Sequence, residues 1–178
     1  MLVVWGFGHF LRKVRLVILR DGEGIVSAQR LEYVEKRLGV EFPRQFVELV
    51  RDEDGGDPED GFDSILFTNP DSNRVEVTGI GGFLTIEENE YYSILDNYFD
   101  PPEGFPEGLL GFAFLGSDRF CFDYREGKHL KDPPIVYWIQ GNEPGKDIAF
   151  LANNFEDFIG MFKPEGYYDH LLGGSSGE

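Results

Sequence analysis

The sequence predicts an α+β domain in which helices pack against a mostly antiparallel sheet. Three observations predict it. Apolar residues recur at helical spacing in residues 27–51 and again after residue 153. Between these, short β-prone runs alternate with turn signals at intervals of roughly ten residues, the rhythm of an antiparallel meander. Finally, 17 Phe, 8 Tyr and 2 Trp in 178 residues supply enough ring surface for one full core. No internal repeat and no second domain is visible, so residues 25–163 are read as one domain, with 1–24 an N-terminal extension and 164–178 a flexible tail.

Within the extension, Phe7, Phe10, Leu11, Val14, Val17 and Ile18 form an apolar helical stripe, with Arg12, Lys13 and Arg15 off it. Three readings stay open: a helix docked on its own domain, a basic helix on a membrane surface, or a segment produced by a wrongly chosen start codon. A signal peptide fits poorly, because the charge lies in the middle of the apolar run and no small-residue cleavage site follows.

Asp21-Gly22-Glu23-Gly24 breaks the chain. Ser27 can then cap a helix whose Leu31, Val34 and Leu38 point inward, and Gly39 can take the left-handed conformation that ends it. Pro43, with its φ preset, suits the first turn of a second helix that buries Phe46, Leu49 and Val50 and runs to about Arg51. Residues 52–63 hold seven carboxylates in twelve positions and are predicted to be an exposed acidic loop.

Strands follow. Ile65-Leu66-Phe67, Val75 to Val77 and Phe83 to Ile86 are β-prone, the first two separated by Asn69-Pro70-Asp71-Ser72-Asn73. Glu87 to Asn97 is predicted helical, with Tyr91, Ile94, Leu95 and Tyr98 on one face. Ala113-Phe114-Leu115 and Arg119 to Tyr124 form a hairpin around Gly116-Ser117-Asp118, and Asp118 is expected to face water. Ile135 to Gln140 and Ile148 to Ala152 complete the sheet. Asn153 is predicted to cap a last helix, with Glu156 returning the bond and Phe155, Phe158, Ile159 and Phe162 facing the sheet; Pro164 ends it.

Charge narrows the function. With 33 acidic and 16 basic residues the net charge is −17, and because residues 1–20 hold four basic residues and no acid, the remainder is more negative still. Such a body repels phosphate backbones and attracts basic proteins, although acid also serves solubility alone. The acidic loop fails as an EF-hand, since a start at Asp52 puts Asp57 where the invariant Gly belongs and a start at Asp57 puts Gly61 at the fifth ligand position. His9, His129 and His170 have no zinc spacing, and Cys121 sits between two aromatics on a strand, the setting of a structural thiol. There is no G-x-S-x-G, and Gly79 to Leu84 lacks the last Gly of a dinucleotide fingerprint. No catalytic constellation, cofactor or metal is expected. One Cys excludes an internal disulfide and no apolar run approaches the roughly 18 residues of a membrane span, so the expected location is cytoplasmic.

Four blocks together resemble the SUKH superfamily, which includes a fungal regulator of cell-wall synthesis and bacterial immunity proteins that neutralise toxins. They are Leu38-Gly39-Val40 running into Phe42-Pro43; the second helix ending at Asp54-Gly55-Gly56, where the family has Asn-Gly-Gly; Gly116-Ser117-Asp118 followed by Phe120 to Asp123; and Ile148-Ala149 with Asn153 to Phe158. Asp54 replaces the usual Asn, Phe42 the usual Leu, and residues 1–24 have no counterpart. The resemblance implies helices on one twisted, mostly antiparallel sheet, and protein binding without catalysis. The expected partner is a basic toxin domain, for example a nuclease, with no nucleic acid bound directly, and the chain is expected to be a monomer or weak dimer. A regulatory scaffold without a toxin is the alternative. Asp52, Glu53, Asp54, Asp57, Glu59, Asp60 and Asp63 are the candidate steering surface, with Asp118 on a facing rim.

Overall fold

The structure, a computed structural model, describes residues 19–22, 24–58, 64–88 and 92–171. The element order is β1 (Leu19–Arg20), α1 (Ala28–Leu38), α2 (Arg44–Asp52), β2 (Asp57–Pro58), β3 (Ile65–Thr68), β4 (Val75–Thr78), β5 (Gly82–Phe83), α3 (Ile94–Phe99), β6 (Leu109–Leu115), β7 (Asp118–Asp123), β8 (Ile135–Trp138), β9 (Ile148–Ala152) and α4 (Phe155–Gly160). Strands β5 to β9 form one antiparallel sheet in chain order, the predicted meander. The single sheet of the sequence reading is supplemented by two antiparallel ribbons, β1–β2 and β3–β4.

Local chemistry explains the helix ends. Ser27 accepts a hydrogen bond from the Arg30 N–H at the start of α1. Gly39, at φ 71°, donates to the Glu35 carbonyl at its end. The Lys128 ammonium donates to the Leu38 carbonyl at 2.7 Å, placing a cation on the negative end of the helix dipole. The corner into α2 is held by the Glu35 carboxylate, which accepts from the Phe42 N–H. Pro43 (φ −55°) is the N-cap of α2 and thus lies just outside the first turn.

Phe46 forms the centre of the core. Its ring lies 5.2 Å from those of Phe42 and Phe122, 5.4 Å from Phe155 and 6.0 Å from Phe112. One residue each from α2, β6, β7, α4 and the corner before α2 thus meets at one point, mostly edge to face. A bulge between Gly111 and Ala113 lets both Phe112 and Ala113 face this core. Leu109, Cys121, Val136 and Trp138 form a smaller cluster, with Phe105 edge-on to Trp138 at 5.0 Å.

Several boundaries differ from the sequence reading, among them the start of β6, at Leu109 instead of Ala113. The predicted helix over 87–97 begins only at Ile94 and is capped by Ser93, because Thr85 exchanges backbone hydrogen bonds with Tyr92 and Ile94, a pairing that brings residue 92 back beside residue 85 where a continuous helix would carry it away. Residues 84–86 do not continue β5, although the Leu84 N–H still donates to Phe112. Asn154, and not Asn153, caps α4, its side chain accepting from the Asp157 N–H. Both asparagines have an acid three residues on, so the local rule fits either. The strand ends at Ala152 as predicted, and Asn153 takes the bend between it and the helix. The N-terminal stripe from Phe7 to Ile18, the acidic residues Glu59, Asp60 and Asp63, and the tail from residue 172 lie outside the described residues. Leu19, within the predicted extension, is buried in the main core, and residues 164–171 form successive turns.

Candidate partner-binding site

Asp52-Glu53-Asp54-Gly55-Gly56-Asp57 leaves α2 and turns beneath the first strand of the sheet. Both glycines have positive φ, 76° and 84°. A Cβ on Gly55 would lie 2.6 Å from the Thr85 methyl carbon and 3.2 Å from the Phe83 carbonyl, so no other residue fits without displacement. Gly56 accepts from the Phe83 N–H, which ties the turn to β5.

Asp54 overturns the sequence reading most clearly. It is fully buried, and its two carboxylate oxygens accept from the Ile86 N–H at 2.6 Å and the Glu87 N–H at 2.8 Å. An inward carboxylate cannot steer a partner; it holds residues 84–88 in place. Arg30 of α1 grips the same segment from outside, donating to the Ile86 carbonyl and pairing with Glu87 and Glu88 at 3.5 and 3.3 Å. Thr85, fixed in this way, exchanges backbone hydrogen bonds with Tyr92 and Ile94 and so sets the position of Tyr92.

The other predicted residues divide. Asp52, at the end of α2, and Asp57, in β2, are exposed. Neither takes a hydrogen bond or an ion pair from the described residues. Glu53 is half-buried, and its carboxylate accepts from the Gly22 N–H at 2.9 Å. Asp57 belongs to a strand, its register partner being Arg20, so the acidic stretch is partly built into the fold.

Asp118 also departs from its predicted role. Its carboxylate accepts from the Tyr137 hydroxyl at 2.8 Å and from the Gln140 N–H at 2.9 Å, with Thr78 donating in turn to the Tyr137 oxygen. Burial pushes the Tyr137 phenol above its ordinary range, and the hydrogen bond and charge of Asp118 push the same way, so Tyr137 remains a donor. Asp118, half-buried at the rim, thereby clamps the hairpin to β8 and, through Tyr137, to β4. The hairpin itself is the predicted tight turn: Leu115 pairs with Asp118 across Gly116 (φ 58°) and Ser117.

Three acids, Asp21, Asp54 and Asp57, line a cleft of about 350 Å³ between the end of α2 and the edge of the sheet. Asp21 and Asp57 stand on it, Gly81 and Gly82 line it, and Tyr92 and Phe114 supply an aromatic side; among the described residues no Lys or Arg lines it. The two rings stack at 5.3 Å with 26° between their planes. A Cβ on Gly82 would lie 3.0 Å from both an Asp57 carboxylate oxygen and the Phe114 ring edge, so the missing side chain keeps acid and ring side by side with space between. Sequence reasoning missed Asp21, Tyr92 and Phe114. Asp21-Gly22 is legible only as a break, and nothing local shows that the break folds against residues 53 and 54, where the Asp54 N–H donates to the Gly24 carbonyl.

Cys121 is where its flanking aromatics put it, fully buried, with burial raising its thiol far above the ordinary range. Among the described residues no helix is long and apolar enough to cross a membrane. Residues 25–161 match the model of the SMI1 / KNR4 family (SUKH-1). No curated protein and no solved structure matches the chain.

Proposed function

This chain belongs to the SMI1 / KNR4 family (SUKH-1), and from that premise we propose that it is a non-enzymatic, cytoplasmic immunity protein that neutralises a basic toxin domain by covering its substrate groove. Family membership is compatible with a toxin-immunity or a regulatory module; the surface favours the first. One observation carries the reading: Asp52 and Asp57 hold exposed carboxylates without a partner among the described residues, and Asp57 stands on a cleft that no cation lines among those residues, in a chain of net charge −17. Uncompensated acid of this kind attracts a positively charged groove from a distance and matches it on contact. A nuclease is the natural class of target, because a groove that binds phosphate is positive where this surface is negative. Occlusion needs no bond made or broken.

Co-expression with the toxin encoded by a neighbouring open reading frame tests the reading. The chain restores growth, and the purified pair associates quickly at low salt. Asp52→Lys combined with Asp57→Lys slows association by about ten-fold and flattens its salt dependence. Failure to rescue, or association rates that the double reversal leaves unchanged, overturns it.

A further inference from the structure

We propose that the cleft beside Asp57 is a socket for one arginine side chain of the partner. The inference rests on the protein-binding reading above and names the chemistry that this site recognises.

The cleft lies at the small end of the ~300–1,000 Å³ typical of ligand pockets, room for one side chain and little more. Its walls differ in kind. One is the Tyr92 ring, 49% exposed as a residue and stacked on Phe114. The other is the Asp57 carboxylate, with Asp21 adding negative charge at the rim. A guanidinium is planar, so it can lie flat on a ring while its edge N–H groups meet a carboxylate. An ammonium is a compact, strongly hydrated point charge that satisfies the carboxylate but gains less from the ring. Gly81 and Gly82 matter because any side chain there would fill the space: a Cβ on Gly81 would stand 3.2 Å from the Phe114 carbonyl, and one on Gly82 would meet Asp57 and Phe114. The backbone behind both walls is preset: Asp54 holds Ile86 and Glu87 next to Thr85, Thr85 bonds the Tyr92 and Ile94 backbone, and Gly56, next to Asp57, accepts from Phe83. Ordering it on binding therefore costs little.

Titration of the full chain with N-acetyl-arginine N-methylamide, followed by ¹H–¹⁵N spectra, tests the socket. The expected result is a set of shifts concentrated at the Gly56, Gly81, Gly82 and Thr85 amides, weaker with the lysine analogue and absent with the neutral citrulline analogue. Tyr92→Leu keeps apolar bulk but removes the ring and lowers affinity about two- to five-fold. Asp57→Asn lowers it by a similar factor; both sites are surface-exposed, and unchanged spectra elsewhere report that each variant is folded. Absence of binding at tens of millimolar, shifts scattered evenly over the acidic surface, or affinity indifferent to Tyr92→Leu overturns the proposal. A toxin bound equally well by Asp57→Asn and Tyr92→Leu removes the socket and leaves the immunity reading standing. Arginine binding in the cleft of a chain that rescues no toxin does the reverse.

Discussion

Replacing Asp54 separates a structural acid from a steering one. In Asp54→Ala the Ile86 and Glu87 N–H groups lose their acceptor. Ile86 is buried and its N–H finds no water, whereas Glu87 is half-buried and its N–H recovers part of its solvation. At about 1–3 kcal/mol for each buried donor left without a partner, the loss is about 3–4 kcal/mol. Asp54→Asn is milder: one oxygen still accepts, the amide NH₂ faces the second N–H, and removal of a buried charge offsets part of the loss, leaving about 1 kcal/mol. With a urea m-value of about 2 kcal/mol/M for a domain of this size, the unfolding midpoint falls by about 1.5–2 M for Ala and about 0.5 M for Asn. Tryptophan fluorescence follows the transition through buried Trp138. An Ala variant whose midpoint stays within about 0.2 M of the parent refutes the argument, because Asp54 would then not support residues 84–88. A parent-like midpoint combined with slower toxin association would return Asp54 to the steering surface.

Two further outcomes follow from the packing. The Arg125 guanidinium, bonded to Asp123 at 2.6 and 2.8 Å, outweighs the opposing effect of burial and holds that carboxyl below its usual range. A depressed folded-state pKa stabilises the fold above the unfolded value, about 3.9, and that stabilisation is lost as pH falls through the folded value. The stability difference between the parent and Asp123→Asn is therefore constant above about pH 5 and closes below about pH 4; a difference that stays flat from pH 7 to pH 3 refutes the pairing. Cys121, fully buried and far from its thiolate, does not react with Ellman's reagent in the folded protein and releases one equivalent in denaturant; fast native labelling would place it at an accessible surface.

The caps, corners and core were legible where the governing interaction is local. Ser27, Gly39 and the stripes Leu31–Val34–Leu38 and Phe46–Leu49–Val50 fall as the spacing requires, since a cap bond spans three residues and a helical face repeats every 3.6. The strands of the meander, and the hairpin at Gly116-Ser117, were readable for the same reason. Asn153 and Asn154 mark the limit of that logic: they satisfy one local rule equally, and the rule does not choose between them.

The site was far less legible. Seven carboxylates in twelve positions look alike in sequence, yet Asp54 faces inward while Asp52 and Asp57 face solvent, and Asp118, read as a water-facing turn residue, is a clamp on Tyr137. Nothing adjacent to Asp54 announces the N–H groups that it serves 32 and 33 residues away. The sequence by itself determined the class of fold, the boundaries of α1, α2 and α4 to within a few residues, the aromatic core and the acidic character, because periodicity, capping and composition act over a few bonds or over the whole chain. Tertiary structure alone decided which acids are available to a partner and that Asp21, Asp57, Tyr92 and Phe114 share one cleft, because a carboxylate's role depends on the backbone donors and rings that folding brings beside it from distant parts of the chain.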